Sequence, residues 1–282
     1  MKKLTLIIIL LLSVSLMFAE VLSVKDVFKL SKKGEAIIVS ARNSADYASK
    51  HIKGAVNIYH KDLYASGDVK SMLKSTDEIA AIFGEKGISA DSKIVIYDNG
   101  DAKLAGRLYW IFDYLGATDV NILDGHVKAW MKGRKPVTKN ATEINATTFK
   151  ANADASKIAT MEYVKANLEN ANVQLLDVRS ADEFNGVEED EELSRLGHIP
   201  GAINLEYDTV VNEDGTLKTK EEIATLLTNV GVSGDKEIIL YCASSVRAGI
   251  MYVALTAVMD FPNVKVYDGA FYEWNVSDNS VE

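Results

Sequence analysis

Short apolar runs recur along the chain, separated by longer stretches whose apolar positions repeat at helical spacing. Ala36 to Val39, Lys93 to Tyr97, Val120 to Leu123, Val173 to Asp177 and Glu237 to Tyr241 are four or five residues long and rich in isoleucine, valine and leucine. Runs of that length and composition read as strands buried on both faces, the kind a parallel sheet requires. Between them, Val24 to Leu30, Asp77 to Gly84, Ala102 to Leu115 and the apolar positions from Ile250 to Val258 read as helices. Gly84 and Gly116 read as helix stops. Strands alternating with helices predict an α/β fold with largely parallel sheets.

This order of elements occurs twice. Val173 to Arg179 repeats the first strand and its terminal arginine, Arg42, and Gly197-His198-Ile199-Pro200-Gly201-Ala202-Ile203-Asn204 repeats Lys50 to Asn57. Cys242 with Asp98, Gly269 with Gly125 and Trp274 with Trp130 share one offset of 144 residues. Solenoid repeats are shorter than this, so the pattern predicts two tandem domains, each a mainly parallel sheet flanked by helices. They are expected over residues 22–135 and 157–276, joined by a linker over 136–156 rich in threonine, asparagine, alanine and lysine. Two Asn-Ala-Thr triplets in the linker match the glycosylation pattern and are read as chance matches.

Cys242, the single cysteine, ends the strand Glu237–Tyr241 and opens the loop Ala243-Ser244-Ser245-Val246-Arg247 ahead of a helix. A strand, a tight loop and a helix start aim several backbone N–H groups at one point. Those groups and the Arg247 guanidinium favour the thiolate, the nucleophilic form of cysteine. A lone cysteine is often only a small buried hydrophobe. Its place at a strand end, five residues before an arginine, favours catalysis here.

The chain has 282 residues, 48% hydrophobic and 25% charged, enough for two cores of ordinary size. A net charge of −9 argues against nucleic acid or an anionic membrane surface as partner. Any positive field for an anionic substrate must therefore be local. Lys2 and Lys3 followed by the apolar run Leu4 to Phe18 and by Ala19 predict a signal peptide over residues 1–19 and an exported, periplasmic or secreted protein. Met17 departs from the small-x-small cleavage rule, and an uncleaved anchor is the alternative. One cysteine cannot form an internal disulfide, so an exported thiol is more readily explained by its reactivity. The four histidines give no metal-ligand spacing, no phosphate-cradling glycine pattern is present, and no metal or cofactor is expected. His51, His126 and His198 read as structural. The acidic run Glu188 to Glu192 reads as a solvated loop.

Taken together, the repeat, the Asp177-Val178-Arg179 strand end, the Gly197-His198-Ile199-Pro200-Gly201-Ala202 turn and the Cys242-x4-Arg247 loop resemble the tandem-domain rhodaneses, the thiosulfate and 3-mercaptopyruvate sulfurtransferases. The resemblance covers roughly residues 22–276. It implies two rhodanese-like domains with the site at their interface and the cysteine in the second domain only. Asp98 fits the aspartate common at the matching position of the first. It further implies that Cys242 takes a sulfane sulfur from a donor, with thiosulfate favoured over 3-mercaptopyruvate, and passes it to a thiophilic acceptor such as cyanide or a thiol. A sulfur-accepting protein is a further candidate partner. Arg247 and Arg179 are the implied substrate-binding side chains, with Ala243, Ser244, Ser245 and Val246 supplying backbone N–H groups. For Arg179, an ion pair holding its own loop is the alternative. The neutral Ala243 and Ser244 depart from the basic residue many thiosulfate-using members carry, and Lys103, at the repeat position of Arg247, is expected to supply part of the missing charge. Two other readings stand beside this one. A cysteine phosphatase would need a five-residue spacing before its arginine, against the four found here. A non-catalytic persulfide carrier would share every motif.

Overall fold

The computed structural model describes residues 21–188, 191 and 193–282, so the N-terminal apolar run and most of the acidic run lie outside it. The first half runs β1 (Val21–Leu22), α1 (Val24–Lys33), β2 (Ile37–Ser40), α2 (Ser44–Ser49), β3 (His51–Ile52), β4 (Val56–Asn57), α3 (Thr76–Glu85), β5 (Lys93–Tyr97), α4 (Lys103–Tyr114), β6 (Asp119–Leu123), α5 (His126–Lys132) and β7 (Val137–Thr138). The second runs β8 (Ile158–Ala159), α6 (Met161–Ala166), β9 (Val173–Asp177), α7 (Ala181–Phe184), β10 (Ile203–Asn204), α8 (Lys220–Asn229), β11 (Glu237–Tyr241), α9 (Ala248–Val253), β12 (Val264–Tyr267) and α10 (Ala270–Val276). Each half builds a five-stranded parallel sheet, in the orders β1-β6-β5-β2-β4 and β10-β9-β11-β12-β8. Both sheets put their most apolar strand, β5 or β11, in the middle, where every residue past the first is buried. The predicted α/β class and the duplication are both present.

The outer faces of the two sheets carry separate cores, around Trp130, Tyr97 and Val27 in the first half and around Trp274, Tyr241 and Phe271 in the second. The inner faces do not. Phe83, Trp110 and Phe112 of the first half belong to one continuous buried cluster with Cys242, Ile250 and Leu255 of the second. The contact at its centre is a crossing of α4 and α9. A Cβ on Gly106 would lie 2.4 Å from the Ile250 amide nitrogen, and one on Gly249 would lie 2.3 Å from that of Arg107. Backbone rests on backbone, an approach that side chains on either glycine would forbid.

Two details differ from the sequence reading. Gly84 lies inside α3 rather than at its stop, and its missing side chain makes room for the Thr147 carbonyl, 2.5 Å from where a Cβ would sit. Gly87, with φ at +74°, provides the left-handed turn after the helix instead. The connecting segment is strapped down: Phe149 packs on Phe83 at 5.2 Å between ring centroids, and the Thr147 and Asn152 amides donate to Gly84 and Leu115 carbonyls.

Candidate active site

Cys242 follows β11 at the carboxyl edge of the sheet, where the crevices of parallel α/β folds open. It is 0% exposed. Its carbonyl accepts from the Phe271 amide at 3.0 Å, and the Ala243 carbonyl accepts from Tyr272 at 3.0 Å. Ser245 takes the left-handed conformation at φ +60° and is held there by its own hydroxyl, which donates to the Tyr267 carbonyl and, at 3.0 Å, to that of Asp268. The Ser245 side chain is therefore committed to the loop. Among the described residues no acceptor meets the amides of residues 243–247.

The matching loop of the first half closes on itself. Asp98 Oδ1 accepts from the Gly100 and Ala102 amides at 2.8 and 3.3 Å, and Oδ2 accepts from Ala105 at 3.1 Å. One carboxylate thus gathers three N–H groups at the position where the second half has a thiol. This loop is one residue longer. Its left-handed residue is Ala102, four after Asp98, against Ser245, three after Cys242. The repeat offset accordingly falls from 144 to 143 in the helices, which pairs Gly106 with Gly249 and Tyr109 with Tyr252. In that register Lys103 matches Val246, so the expected match of Lys103 with Arg247 is corrected by one residue.

Arg247 donates from Nη1 and Nη2 to the two carboxylate oxygens of Glu183, each at 2.6 Å. Burial works against the arginine's charge, but Glu183 and the Cys242 sulfur, when ionised, more than offset this and raise its pKa. Burial likewise pushes the Glu183 carboxyl up, and Arg247 outweighs it, so that pKa ends below the usual range. Glu183 is itself fixed by a capping box with Ser180 at the start of α7. The Ser180-Ala181-Asp182-Glu183 spacing carried that signal in the sequence; nothing in it pointed to Arg247 as the partner.

Lys103 reaches the same mouth from the first half. Its ammonium lies 2.9 Å from Asp101 and 5.9 Å from the ring centroid of Tyr207. Partial burial lowers its pKa, Asp101 raises it by more, and Arg247 opposes from nearby. Across from them the Glu206 carboxyl is pushed up by burial and by Asp208, Glu183 and Glu188.

Arg179 stands behind this group: its charge and that of Glu183 favour each other, and its buried Nη1 has no acceptor among the described residues. The arginine is fully buried and spent on Asp177, with Nε at 3.0 and 2.9 Å and Nη2 at 2.6 Å from the carboxylate, on the Gly197 carbonyl at 2.8 Å, and on the Phe271 ring at 4.1 Å. Arg42 repeats part of this in the first half, donating from Nη1 to the Lys50 carbonyl at 2.6 Å and from Nε to the Asn99 amide oxygen in place of a carboxylate. The carbonyl contact is thus common to both halves, while the ion pair with Asp177, the alternative foreseen for Arg179, is formed in the second half, where the first half has Ser40 at the matching place. His51 and His198 are stacked on Tyr47 and Phe184 at 3.8 and 3.6 Å, each with Nδ1 on a carbonyl.

The model of the rhodanese-like domain matches residues 23–133 and again 160–277. Tandem domains of that family account for nearly all of the described chain. The chain belongs to the rhodanese family. Among relatives of this rhodanese, the 3-mercaptopyruvate sulfurtransferase of Escherichia coli K12 is 35% identical over 239 residues, 83% of each chain. The thiosulfate sulfurtransferase of Pseudomonas aeruginosa is 29% identical over 250 residues, 88% of this chain and 91% of that one. The crystal structure of SseA from Escherichia coli, a 3-mercaptopyruvate sulfotransferase, superimposes with a TM-score of 0.82 at 31% identity, covering 89% of this rhodanese and 98% of that chain. By this kinship the rhodanese described here is an enzyme of the sulfurtransferase class.

Proposed function

We propose that Cys242 carries a sulfane sulfur between a small anionic donor, thiosulfate in preference to 3-mercaptopyruvate, and a thiophilic acceptor. The observation that carries this reading is the contrast between the two loops: amides that converge on a fixed carboxylate in the first domain meet no acceptor among the described residues around Cys242. Converging N–H groups suit an anion, and a persulfide is one. The Cys242 thiolate attacks the outer sulfur of thiosulfate, the S–S bond breaks, and sulfite leaves with the electron pair. The acceptor then attacks the outer sulfur of the persulfide and restores the thiolate, which makes the kinetics ping-pong. Arg247 and Lys103, entering from the two domains, offer N–H groups to an anionic donor, each with its charge already paired, to Glu183 and to Asp101.

Cyanolysis, followed as thiocyanate with thiosulfate and then with 3-mercaptopyruvate, is the test. Turnover lost in Cys242→Ser is expected, with the larger kcat/KM for thiosulfate. One added sulfur on Cys242 in the intact mass without turnover would replace the enzyme reading by that of a persulfide carrier for a protein partner. Export belongs to the same proposal, supported by Lys2, Lys3 and the apolar run after them. N-terminal sequencing of protein recovered from cell fractions checks it.

A further inference from the structure

We infer that Arg107, on α4 of the first domain, is a positioning residue for the Cys242 loop, acting through Asp268. The inference rests on the reading of Cys242 as the sulfur carrier. Arg107 is 0% exposed. Its Nη2 donates to Asp268 Oδ1 at 2.6 Å and to the Ser71 carbonyl at 3.3 Å, and the Leu73 amide donates to Asp268 Oδ2 at 2.9 Å. The Asp268 carboxylate is thus gripped from the first domain on both oxygens. The backbone around it holds the cysteine loop: Ser245 Oγ donates to the Tyr267 and Asp268 carbonyls, while the Phe271 and Tyr272 amides donate to those of Cys242 and Ala243. Ser245 at φ +60° stays in a conformation an L residue seldom adopts only as long as those bonds hold it.

The duplication supplies the comparison. Asp124 stands where Asp268 stands, and its Oδ1 accepts from the Leu217 amide at 3.0 Å just as Asp268 accepts from Leu73. There the mirror image ends. The α9 residue matching Arg107 is Ile250 in the register of the glycine crossing and Met251 by the offset of 144, and neither can donate. Of the two turns, among the described residues, the one behind the cysteine alone is held by a guanidinium. A clasp between domains would not need one, because the backbone amide serves on the other side. The arginine is also expensive to bury, since Nε and Nη1 find no acceptor among the described residues. Burial works against its charge, which Tyr64 and Asp268 restore, and the rings of Trp110 and Tyr64 lie 4.7 and 5.6 Å away. Apolar replacements of buried ions are commonly neutral or stabilising. Adhesion alone does not explain this residue; holding the loop does.

Arg107→Met, Arg107→Lys and Asp124→Asn are compared with the parent full-length protein for kcat and KM in cyanolysis and for the rate of Cys242 alkylation by iodoacetamide at fixed pH. Folded Arg107→Met is expected to lose on the order of tenfold in kcat and in alkylation rate, with donor KM within about twofold, as for a misplaced reacting group. Arg107→Lys recovers part of both rates, and Asp124→Asn lowers Tm while leaving both rates unchanged. Rates within about twofold of the parent in folded Arg107→Met overturn the proposal. Should that variant not fold, Ser245→Ala cuts the loop from residues 267–268 without touching the domain contact, and unchanged rates there overturn it equally. Alkylation needs no sulfur donor, so a parent that never turns over would defeat the proposed function and leave this comparison standing.

Discussion

His60 sits half in the first domain's core with its Nδ1 2.7 Å from the Tyr64 hydroxyl. Burial, with the cationic Arg107 and Lys61 nearby, lowers its pKa to about 4. The unfolded chain titrates this group near 6.5, so between pH 6.5 and 4 the unfolded state binds more protons than the native one. The sign is therefore a loss of stability as pH falls through that window, on the order of 3 kcal/mol over its full width. Urea unfolding at stepped pH should show this slope in the parent and a flatter one in His60→Gln. Glu183 acts in a lower window. Its carboxyl pKa is depressed by Arg247, so the pair's contribution is present above about 4.5 and fades as pH falls further. Replacing Glu183 by Gln also removes one negative charge from the donor's entrance. The thiosulfate KM should fall on the order of threefold at low salt and converge on the parent's at high salt, while kcat drops because Arg247 loses its fixed direction. At this scale Cys242 and Arg247 stood out in the sequence because their types and spacing are chemical statements in themselves. Glu183, Tyr207 and Arg107 did not, since what they touch lies 64, 104 and 161 residues away along the chain.

Among the elements, the crossing of α4 on α9 has the least room for change. Gly106→Ala or Gly249→Ala would drive a methyl group into backbone that cannot swing aside, at a cost of about 2–3 kcal/mol. Denaturant titration measures this, and the second glycine substitution should add less than the first, because either one already separates the helices. A glycine inside a helix reads from sequence as a weak point, and its value shows only when a second helix arrives. The strands were legible because Ile37–Val39, Ile94–Ile96 and Ile238–Leu240 are apolar at every position, a pattern few other elements share. The one-residue difference between the Asp98 and Cys242 loops was hidden by landmarks on both sides, the loop residues themselves and Gly125 with Gly269, that keep the offset of 144. The stop assigned to Gly84 failed for a similar reason: the Thr147 carbonyl that needs the space comes from the connecting segment, distant along the chain.

For the molecule as a whole, the continuous inner core joins residues from Val39 to Val266, so neither half can open without exposing apolar surface of the other. Calorimetry should give one transition whose van't Hoff and calorimetric enthalpies agree; two resolved peaks would show that the halves melt separately. The same joining brings Lys103, Tyr207 and Arg247 to one mouth, which the linear order of the chain does not announce. Asp98 adds a consequence of another kind. Its carboxylate is a permanent tenant of a loop one residue longer than the cysteine's, and it sits there with β5 paired to β2 and β6 as β11 is paired to β9 and β12. One half of the protein is in this sense a standing cast of the other half in its charged condition. Sulfur arriving at Cys242 has only to find its mould, not to shape it. Loading should then keep pace with the chemistry of the donor, and added glycerol, which slows large motions of a chain, should leave its rate where it was.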